Sequence, residues 1–398
     1  MKRLKRFFTE YLILNCFIFV CVWLLSLLVL NVSFFDPFSE AFRDFTITDL
    51  YYNKLKDRNE IYKGPVVLIN AENKNRKELA FLLQTVQEAN PKVVALDIIF
   101  PDRKGEDDSL LHNLFKQYNN FVLPSYPDFD NPSQSVYNHS YFTGNKNNYV
   151  NFEGDDKETS TIRYYYPFTN QQQAFTTGII QKFNNTLYQK LLKKKNKRVE
   201  IHYLGDLANF SYFNFDEVMQ PDFNTTSLTG KIVLIGYLGL PGSNLENKID
   251  EDMIFTPLNQ KLSGRSYPDM YGCVAHANIL RMIIEEDYIK VVSPFWSFLI
   301  SFLFIWFMLP LFCGLFFKGD IWFNGLGTGV QLIGSILLVY FTVLAYRYLD
   351  TKFDPGLLLA CFVLLPIFIN LYEVLLLFLK HKLKLPIRSR FVNKHHHD

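Results

Sequence analysis

The sequence predicts an α/β protein: a three-layer, mostly parallel sheet in one large domain, together with four transmembrane helices, one N-terminal and three C-terminal. Three observations support this class. Four long stretches are almost free of charge, the block between the first two has no such stretch, and that block alternates short apolar strands with helical patterns. The mean hydropathy of +0.02 therefore averages a globular domain with strongly apolar helices.

Each of the four apolar stretches is long enough to cross a bilayer, because a hydrocarbon core of about 30 Å needs roughly 20 apolar residues in a helix. We expect a basic tail, a first span, a large domain, three further spans and a second basic tail, at residues 1–10, 11–35, 36–293, 294–317, 321–346, 355–379 and 380–398. The first span is longer than the apolar core of a cleaved signal and lacks an Ala-x-Ala-like site, so it should remain as an anchor.

Lys and Arg beside the spans indicate the orientation in the membrane. Four of them lie within the first six residues, and six more follow the last span between Lys380 and Lys394. Both tails are therefore expected in the cytoplasm, and the large domain on the outer side.

The charge differs between these parts. Outside residues 34–293 there are 13 Lys or Arg and 6 Asp or Glu, a net charge of +7, whereas the remainder carries 28 against 33, or −5. A mildly acidic domain argues against a nucleic-acid partner. Only Cys273 of the five cysteines lies in the large domain, so no disulfide can form within it. The cysteine spacing predicts no metal site, and we expect no cofactor.

Short apolar runs and helical patterns follow one another through the large domain. The expected strands are 65–70, 93–100, 121–124, 161–168, 199–204 and 231–236, and the expected helices are 76–89, one beginning at Asp108, 174–192 and 272–284. Residues 131–156 are rich in Asn, Ser, Gly and Asp and are expected to form a loop. Continuous apolar strands joined by helices are typical of a mostly parallel sheet covered on both faces.

Two sets of motifs occur in order along this domain. The first comprises Gly64–Ile69, Lys92–Phe100 and Asp107-Asp108-x-Leu110; the second comprises Gly230–Gly236, Asp252-x-x-x-Thr256-Pro257 and Gly272-x-x-x-His276-Ala277-x-Ile279-Leu280, followed by Pro294 and Trp296. In order and spacing they resemble the type-2 CHASE domain, an extracellular sensor module of bacterial membrane receptors. The resemblance implies a periplasmic domain of a bacterial inner-membrane protein, with one span before it and three after it.

The chain also departs from that family. The family often has an Asp where Asn70 stands, followed by a Trp/Pro/Arg-containing stretch that is absent here, and the loop Gly239–Glu251 is longer than expected. The family usually continues into a cyclase or kinase. Here about 18 residues follow Lys380 and contain no catalytic motif, so we expect no cytoplasmic output domain.

The candidate ligand-binding residues lie where strands of the predicted sheet end, since ligands of open α/β sheets bind there. They are Asp97, Asp102, Gly236, Asp252, Thr256 and His276. The alternatives are that Asp97 caps a neighbouring backbone or pairs with a base, that Thr256-Pro257 is a structural turn, and that His276 is a satisfied helix histidine rather than a ligand or pH sensor.

Other tempting features are weaker. Asn370 and Glu373 lie in the fourth span and are candidate contacts with a partner helix, or else reach toward the interface. Gly236-x-x-Gly239-x-x-Gly242 lacks the Gly-x-Gly start and the Lys-Ser/Thr of phosphate loops, so it predicts a flexible loop. The tail His395–His397 could bind metal or be incidental.

The sequence thus predicts a non-catalytic inner-membrane protein of the CHASE type, with a periplasmic sensor or interaction domain that acts through a partner protein. The alternative is a structural or accessory subunit of an envelope complex without a small-molecule ligand. An enzyme is not expected, because no nucleophile and base are placed together. The expected partners are other membrane or periplasmic proteins, a second copy in a homodimer, and the lipid bilayer.

Overall fold

The computed structural model describes residues 2–31, 46, 48–142, 148–152, 161–169, 172–195, 197–240, 252–259 and 267–392. The chain divides into two compact units. The central unit is Tyr52–Ile289, and the helical unit combines Met1–Tyr51 with Lys290–Asp398.

Both units contain helices and strands among the described residues. The α-helices are α1 (Lys2–Asn31), α2 (Asp49–Lys54), α3 (Arg76–Glu88), α4 (Asp108–Gln117), α5 (Phe175–Phe183), α6 (Asn185–Leu192), α7 (Phe215–Val218), α8 (Gly272–Ile284), α9 (Pro294–Lys318), α10 (Gly327–Leu349), α11 (Gly356–Val363) and α12 (Leu365–His381). The strands are β1 (Val66–Asn70), β2 (Val93–Leu96), β3 (Phe121–Val122), β4 (Asn148–Tyr149), β5 (Tyr164–Tyr165), β6 (Phe168–Thr169), β7 (Gln172–Ala174), β8 (Val199–Glu200), β9 (Ser211–Asn214), β10 (Ile232–Gly236), β11 (Met253–Ile254), β12 (Met270–Tyr271), β13 (Lys290–Val291) and β14 (Thr351–Lys352).

A parallel sheet with the strand order β3-β2-β10-β1-β9 forms the centre of the central unit. β10 lies between β1 and β2, with Val66 paired to Ile232 and Leu96 paired to Ile235. Every residue of β1, β2 and β10 is buried, which explains why these strands are apolar without alternation. The prediction of a mixed α/β fold with a parallel sheet is confirmed.

Helices contact this sheet through alternate side chains of its strands. Ile69 and Ile235 share a core with Leu83 of α3, whereas α8 contacts β1 and β10 and α5 contacts β2 and β3. α3 begins with a capping box, in which the Asn75 side chain accepts from the Glu78 backbone N–H and the Glu78 carboxylate accepts from the Asn75 backbone. The cap fixes where α3 begins, directly after β1.

Several elements differ from the sequence-based expectations. The expected helix 174–192 is divided into α5 and α6 at Asn184, whose extended backbone (φ −152°) and side chain cap the start of α6. The expected strand 93–100 ends at Leu96. The expected strand 161–168 contains only the short β5 and the first residue of β6. After Leu96, loop hydrogen bonds replace the ladder, as the His139 N–H donating to the Phe100 carbonyl shows.

The helical unit contains three helices that are long and apolar enough to cross a membrane within the described residues. They cover Thr9–Leu27 of α1, Pro294–Lys318 (α9), and Trp322–Leu349, which is a π-helical turn continued by α10. α11 and α12 also meet this criterion as a pair, but they are bent by 57° at their junction. By length and composition the described chain therefore has three spans, or up to four if the bent pair is one span.

The bend between α11 and α12 is caused by a proline, and a polar side chain of α10 bonds the backbone at the bend. Pro366 has no N–H, so it cannot donate to the carbonyl of Phe362 four residues earlier. The Gln331 side chain of α10 instead donates to the carbonyls of Phe362 and Val363, at 3.2 and 2.6 Å. This polar residue within a span thus satisfies backbone groups that the broken helix releases.

The last described residues pack onto the helical unit. The Phe391 ring is buried and lies 5.6 Å from the ring of Phe316 and 5.4 Å from that of Tyr372. The Glu10 carboxylate of α1 accepts from the Ser389 hydroxyl and, at 3.2 Å, from the Arg390 N–H. The histidines at 395–397 lie outside the described residues.

Candidate functional site

The carboxyl ends of β1, β2 and β10 meet at one edge of the sheet. β1 ends in Asn70, which is buried. Its side-chain Oδ1 accepts from the N–H groups of Glu72 and Leu238, both at 3.0 Å, and its side-chain Nδ2 donates to the Gly239 carbonyl at 2.7 Å. Asn70 therefore orders the loops after β1 and β10. An ionised Asp, which the family often has at this position, could not donate the hydrogen bond that the Asn70 amide makes, because a carboxylate only accepts.

Asp97 follows β2 at the same edge. Its N–H donates to the Ile235 carbonyl at 2.7 Å, which continues the β10 pairing by one residue. A Cβ atom on Gly236 would lie 3.1 Å from the Asp97 Cβ and 2.9 Å from the Cys273 Sγ. Glycine is thus needed at 236 because a strand end, the Asp97 side chain and the first turn of α8 approach closely there.

Asp252 is the fourth member of this group, and we refer to Asp97, Gly236, Asp252 and Cys273 as the strand-end site. The Asp252 carbonyl accepts from the Gly272 N–H at 3.0 Å, which places it at the start of α8. Burial, and to a lesser extent the charge of Asp252, raises the pKa of Asp97 to about 7. No described basic side chain forms an ion pair with Asp97, so the predicted pairing with a base is not found in this part of the chain.

The thiol of Cys273 is held in its protonated, unreactive form. Burial, and then the charges of Asp97 and Asp252, raise its pKa well above the ordinary value. A thiolate is the nucleophilic form of cysteine, and this environment suppresses it. The strand-end site therefore offers carboxyl groups that accept hydrogen bonds or balance a positive charge, and a thiol that stays protonated.

Asp102 is engaged with another group. It is exposed, and its carboxylate lies 3.1 Å from the guanidinium of Arg76. The same guanidinium bonds the fully buried Asp108 at 2.5 Å. The charge of Asp252, and not that of Asp102, adds to the raised pKa of Asp97. Asp102 is thus part of an ion-pair group at the start of α3 and α4.

Thr256 forms the turn that was the alternative to a ligand role. Its N–H and hydroxyl donate to the two carboxylate oxygens of Asp269 at 2.8 and 2.6 Å, and its Oγ accepts from the Leu258 N–H at 3.2 Å. Burial raises the pKa of Asp269 to about 7 despite these hydrogen bonds. Thr256 therefore holds the segment before α8 in place.

His276 lies in α8 one turn beyond Cys273, in an aromatic environment. Its ring stacks on Phe152 with centroids 4.6 Å apart, and the Phe175 ring meets it edge-on at 5.4 Å. Burial lowers the pKa of His276 to about 3. Its Nδ1 is buried and has no hydrogen-bond partner among the described residues. The imidazole is thus neutral where an ordinary histidine titrates, and both a ligand role and a structural role for His276 stay predictions.

The two polar residues of the fourth predicted span lie on α12. Asn370 is exposed and Glu373 is half-buried. The exposed amide leaves the predicted contact with a partner helix open, and it stays a prediction.

Sequence reasoning missed one residue of the strand-end site, Cys273, and one residue at the same edge of the sheet, Asn70. Cys273 was weighed only as a disulfide or metal candidate, and Asn70 only as a departure from the family. The position of Asn70 at a strand end could have indicated its role. The approach of Cys273 to Gly236 depends on how α8 packs on β10, and no local pattern encodes it.

Gly236→Ala is expected to destabilise the protein by about 1–2 kcal/mol, because the added methyl group overpacks the contact with Cys273 and Asp97. Thermal melting of the full chain in detergent measures the effect. Gly272→Ala is the matched control, since its Cβ would meet only the Asp252 carbonyl at 3.9 Å. Equal melting of the two variants would contradict the close approach.

Comparison with known proteins identifies a family. Residues 17–314, about three quarters of the chain, match the CHASE2 domain. No curated protein and no solved structure matches the chain. The match begins within α1 and ends within α9, and it includes every residue of the strand-end site. The chain belongs to the CHASE2 domain family.

Proposed function

We propose that this protein is a non-catalytic sensor of the bacterial inner membrane. The central unit would lie on the periplasmic side and bind a ligand, both termini would be cytoplasmic, and a partner protein would carry the output. Membership in a family of sensor domains indicates an extracellular sensory role. The candidate membrane helices support an anchored protein.

The observation that carries this proposal is the state of Asp97. It is a carboxyl group at the carboxyl end of a parallel sheet, beside another carboxylate and without a described basic partner. Burying such a group without compensation costs stability, so its retention suggests a use. A ligand that donates hydrogen bonds or carries positive charge would supply the missing compensation.

The position of α8 supports transmission of a signal. Cys273, which belongs to the strand-end site, lies in the first turn of α8. Only residues 285–293 separate the end of α8 from the start of α9 along the chain. A ligand that bound two positions of α8 with different affinity would shift the population between them. This short covalent link would pass the shift to a membrane helix.

The test is a ligand screen by thermal melting of the full-length protein in lipid nanodiscs. We expect at least one small cationic or hydrogen-bond-donating metabolite to raise the melting temperature of the wild type and of Asp102→Asn, but not of Asp97→Asn. Asp102→Asn is the matched control because Asp102 is exposed and bonded to Arg76. If every ligand that raises the melting temperature of the wild type raises that of Asp97→Asn equally, the assignment of the site is refuted, and hydrolase activity lost in Asp97→Asn would refute a non-catalytic role.

An accessory subunit of an envelope complex is the second candidate. The observation that favours it is the span formed by Trp322–Leu349, of which only 11% is buried within the chain, against 33% for α1 and α9. Such a helix offers much surface to a partner helix. A native pull-down in mild detergent tests this: a stable stoichiometric complex would favour the subunit, and a monodisperse homodimer that responds to ligands would exclude it.

A further inference from the structure

A cavity of 340 Å³ lies in the central unit beyond the end of β3. Five aromatic residues and an acidic one are among those that line it, namely Tyr126, Phe129, Tyr149, Phe152, Tyr166 and Asp128. The volume falls within the range of about 300–1,000 Å³ that small-molecule sites occupy. We refer to it as the aromatic pocket.

We propose that the aromatic pocket binds a small organic ammonium ion. The faces of aromatic rings attract cations through the negative charge of their π-systems. Phe129 and Tyr149 meet at 82° with centroids 5.9 Å apart, so their two planes form a corner rather than a flat stack. A rounded cation with methyl groups fits such a corner better than a planar ligand does.

The polar groups of the aromatic pocket point to the same ligand class. Asp128 and Asp130 supply negative charge, and none of the described lining residues is Lys or Arg. The Asn151 amide donates to the Pro127 carbonyl at 3.0 Å, which leaves its Oδ1 buried and without a hydrogen-bond partner among the described residues. The side chains thus offer acceptors and negative charge, which an anion could not use.

The aromatic pocket also has a contact with α8. Phe152 lines the pocket and stacks on His276, with ring centroids 4.6 Å apart. A ligand that orders Phe152 would therefore change the packing of His276, and α8 carries both His276 and Cys273. This consequence rests on the proposed sensory function, whereas binding to the pocket does not.

The test is isothermal titration calorimetry of the full-length protein in nanodiscs, with choline as the probe. We expect choline to bind, and its neutral isostere, in which carbon replaces the quaternary nitrogen, to bind at least about tenfold more weakly. Phe129→Leu should weaken choline binding about tenfold, because it keeps apolar bulk but removes the ring. Asp128→Asn should weaken it several-fold, and it keeps the oxygen that accepts from Asp130 and Asn131.

The controls separate this site from general effects. Phe81→Leu changes an exposed phenylalanine of α3 outside the aromatic pocket and should leave choline binding unchanged. Asp97→Asn should also leave it unchanged, so that failure of the strand-end site and failure of this pocket are told apart. The proposal is overturned if choline does not bind at millimolar concentrations, if the isostere or glucose binds as well as choline, or if Phe129→Leu binds choline normally.

Discussion

Replacement of Arg76 by Met is expected to lower the free energy of unfolding of the central unit by about 3 kcal/mol. The guanidinium of Arg76 is the charged partner of Asp108, whose side chain is fully buried. Met keeps the length and much of the apolar contact with the Phe100 and Phe142 rings, which lie 5.7 and 5.3 Å from the guanidinium. The loss is therefore electrostatic: one buried carboxylate remains without its cation.

The surroundings of Asp108 explain why the effect should be large. Its carboxylate also accepts from the backbone N–H groups of Lys104 and Gly105, at 2.6 and 3.3 Å. The bonds from Arg76 and this loop outweigh burial and hold the pKa of Asp108 below its ordinary value. Without Arg76, the buried carboxylate keeps only these two backbone donors among the described residues and has no cation beside it.

Thermal melting of the full chain in detergent measures this prediction, and a fall in Tm of roughly 6–12 °C corresponds to it. Asp102→Asn is the matched control and should change the stability by less than about 0.5 kcal/mol, since Asp102 is exposed. A group whose folded pKa is depressed stabilises above its unfolded pKa and loses that contribution as the pH falls. The difference between wild type and Arg76→Met should therefore shrink below pH 3.8. If wild type and Arg76→Met differ in free energy of unfolding by the same amount at low pH as at neutral pH, lost packing and not lost charge is responsible.

The sequence was sufficient for β1, β2 and β10 because these strands are buried on both faces, whereas the edge strand β9, which is exposed or half-buried, was not predicted. The run Val66–Ile69 has one apolar residue after another, and that pattern predicts a covered parallel strand. Once the strands are parallel, their carboxyl ends share an edge, so the sequence was enough to predict that Asp97 and Gly236 lie close together. The position of the strand-end site thus followed from local patterns and one rule of topology.

Other features depend on contacts between distant segments. Arg76 and Asp102 are 26 residues apart, and nothing near either residue indicates that they pair. The polar residue Gln331 is similar: its partners are carbonyls that become available only because α11 and α12 are bent. Such residues look like functional candidates in the sequence, and only the packing shows that they satisfy neighbouring groups.

Asp97→Asn is expected to stabilise the protein at pH 8 by about 2 kcal/mol and to have almost no effect near pH 4. Burial and the neighbouring Asp252 raise the pKa of Asp97 from 3.8 to about 7. Between these values the folded state holds a proton that the unfolded state has lost. The stability of the wild type therefore falls as the pH rises from about 4 to 7, and the neutral Asn does not contribute to this fall.

The size of the effect follows from the shift and from the exposure. Each unit of pKa corresponds to about 1.4 kcal/mol, so a shift of about three units would give about 4 kcal/mol for a site sealed from water. Asp97 is only half-buried, and water reduces the cost of its charge. Melting of wild type and variant at several pH values measures the difference, which should reach roughly 4–8 °C at pH 8. Asp252→Asn should give a smaller gain, because it removes only the second cause of the raised pKa.

The result also separates the two proposed functions. If Asp97→Asn gains stability and loses its response to a ligand, then Asp97 lowers the stability of the wild type but is needed for binding. This is expected when a functional site is retained at the expense of stability. A variant that gains stability without any change in ligand response would leave Asp97 without a sensory use and favour the accessory subunit. Destabilisation at every pH would contradict both, since it would mean that the carboxylate is already compensated in the folded protein.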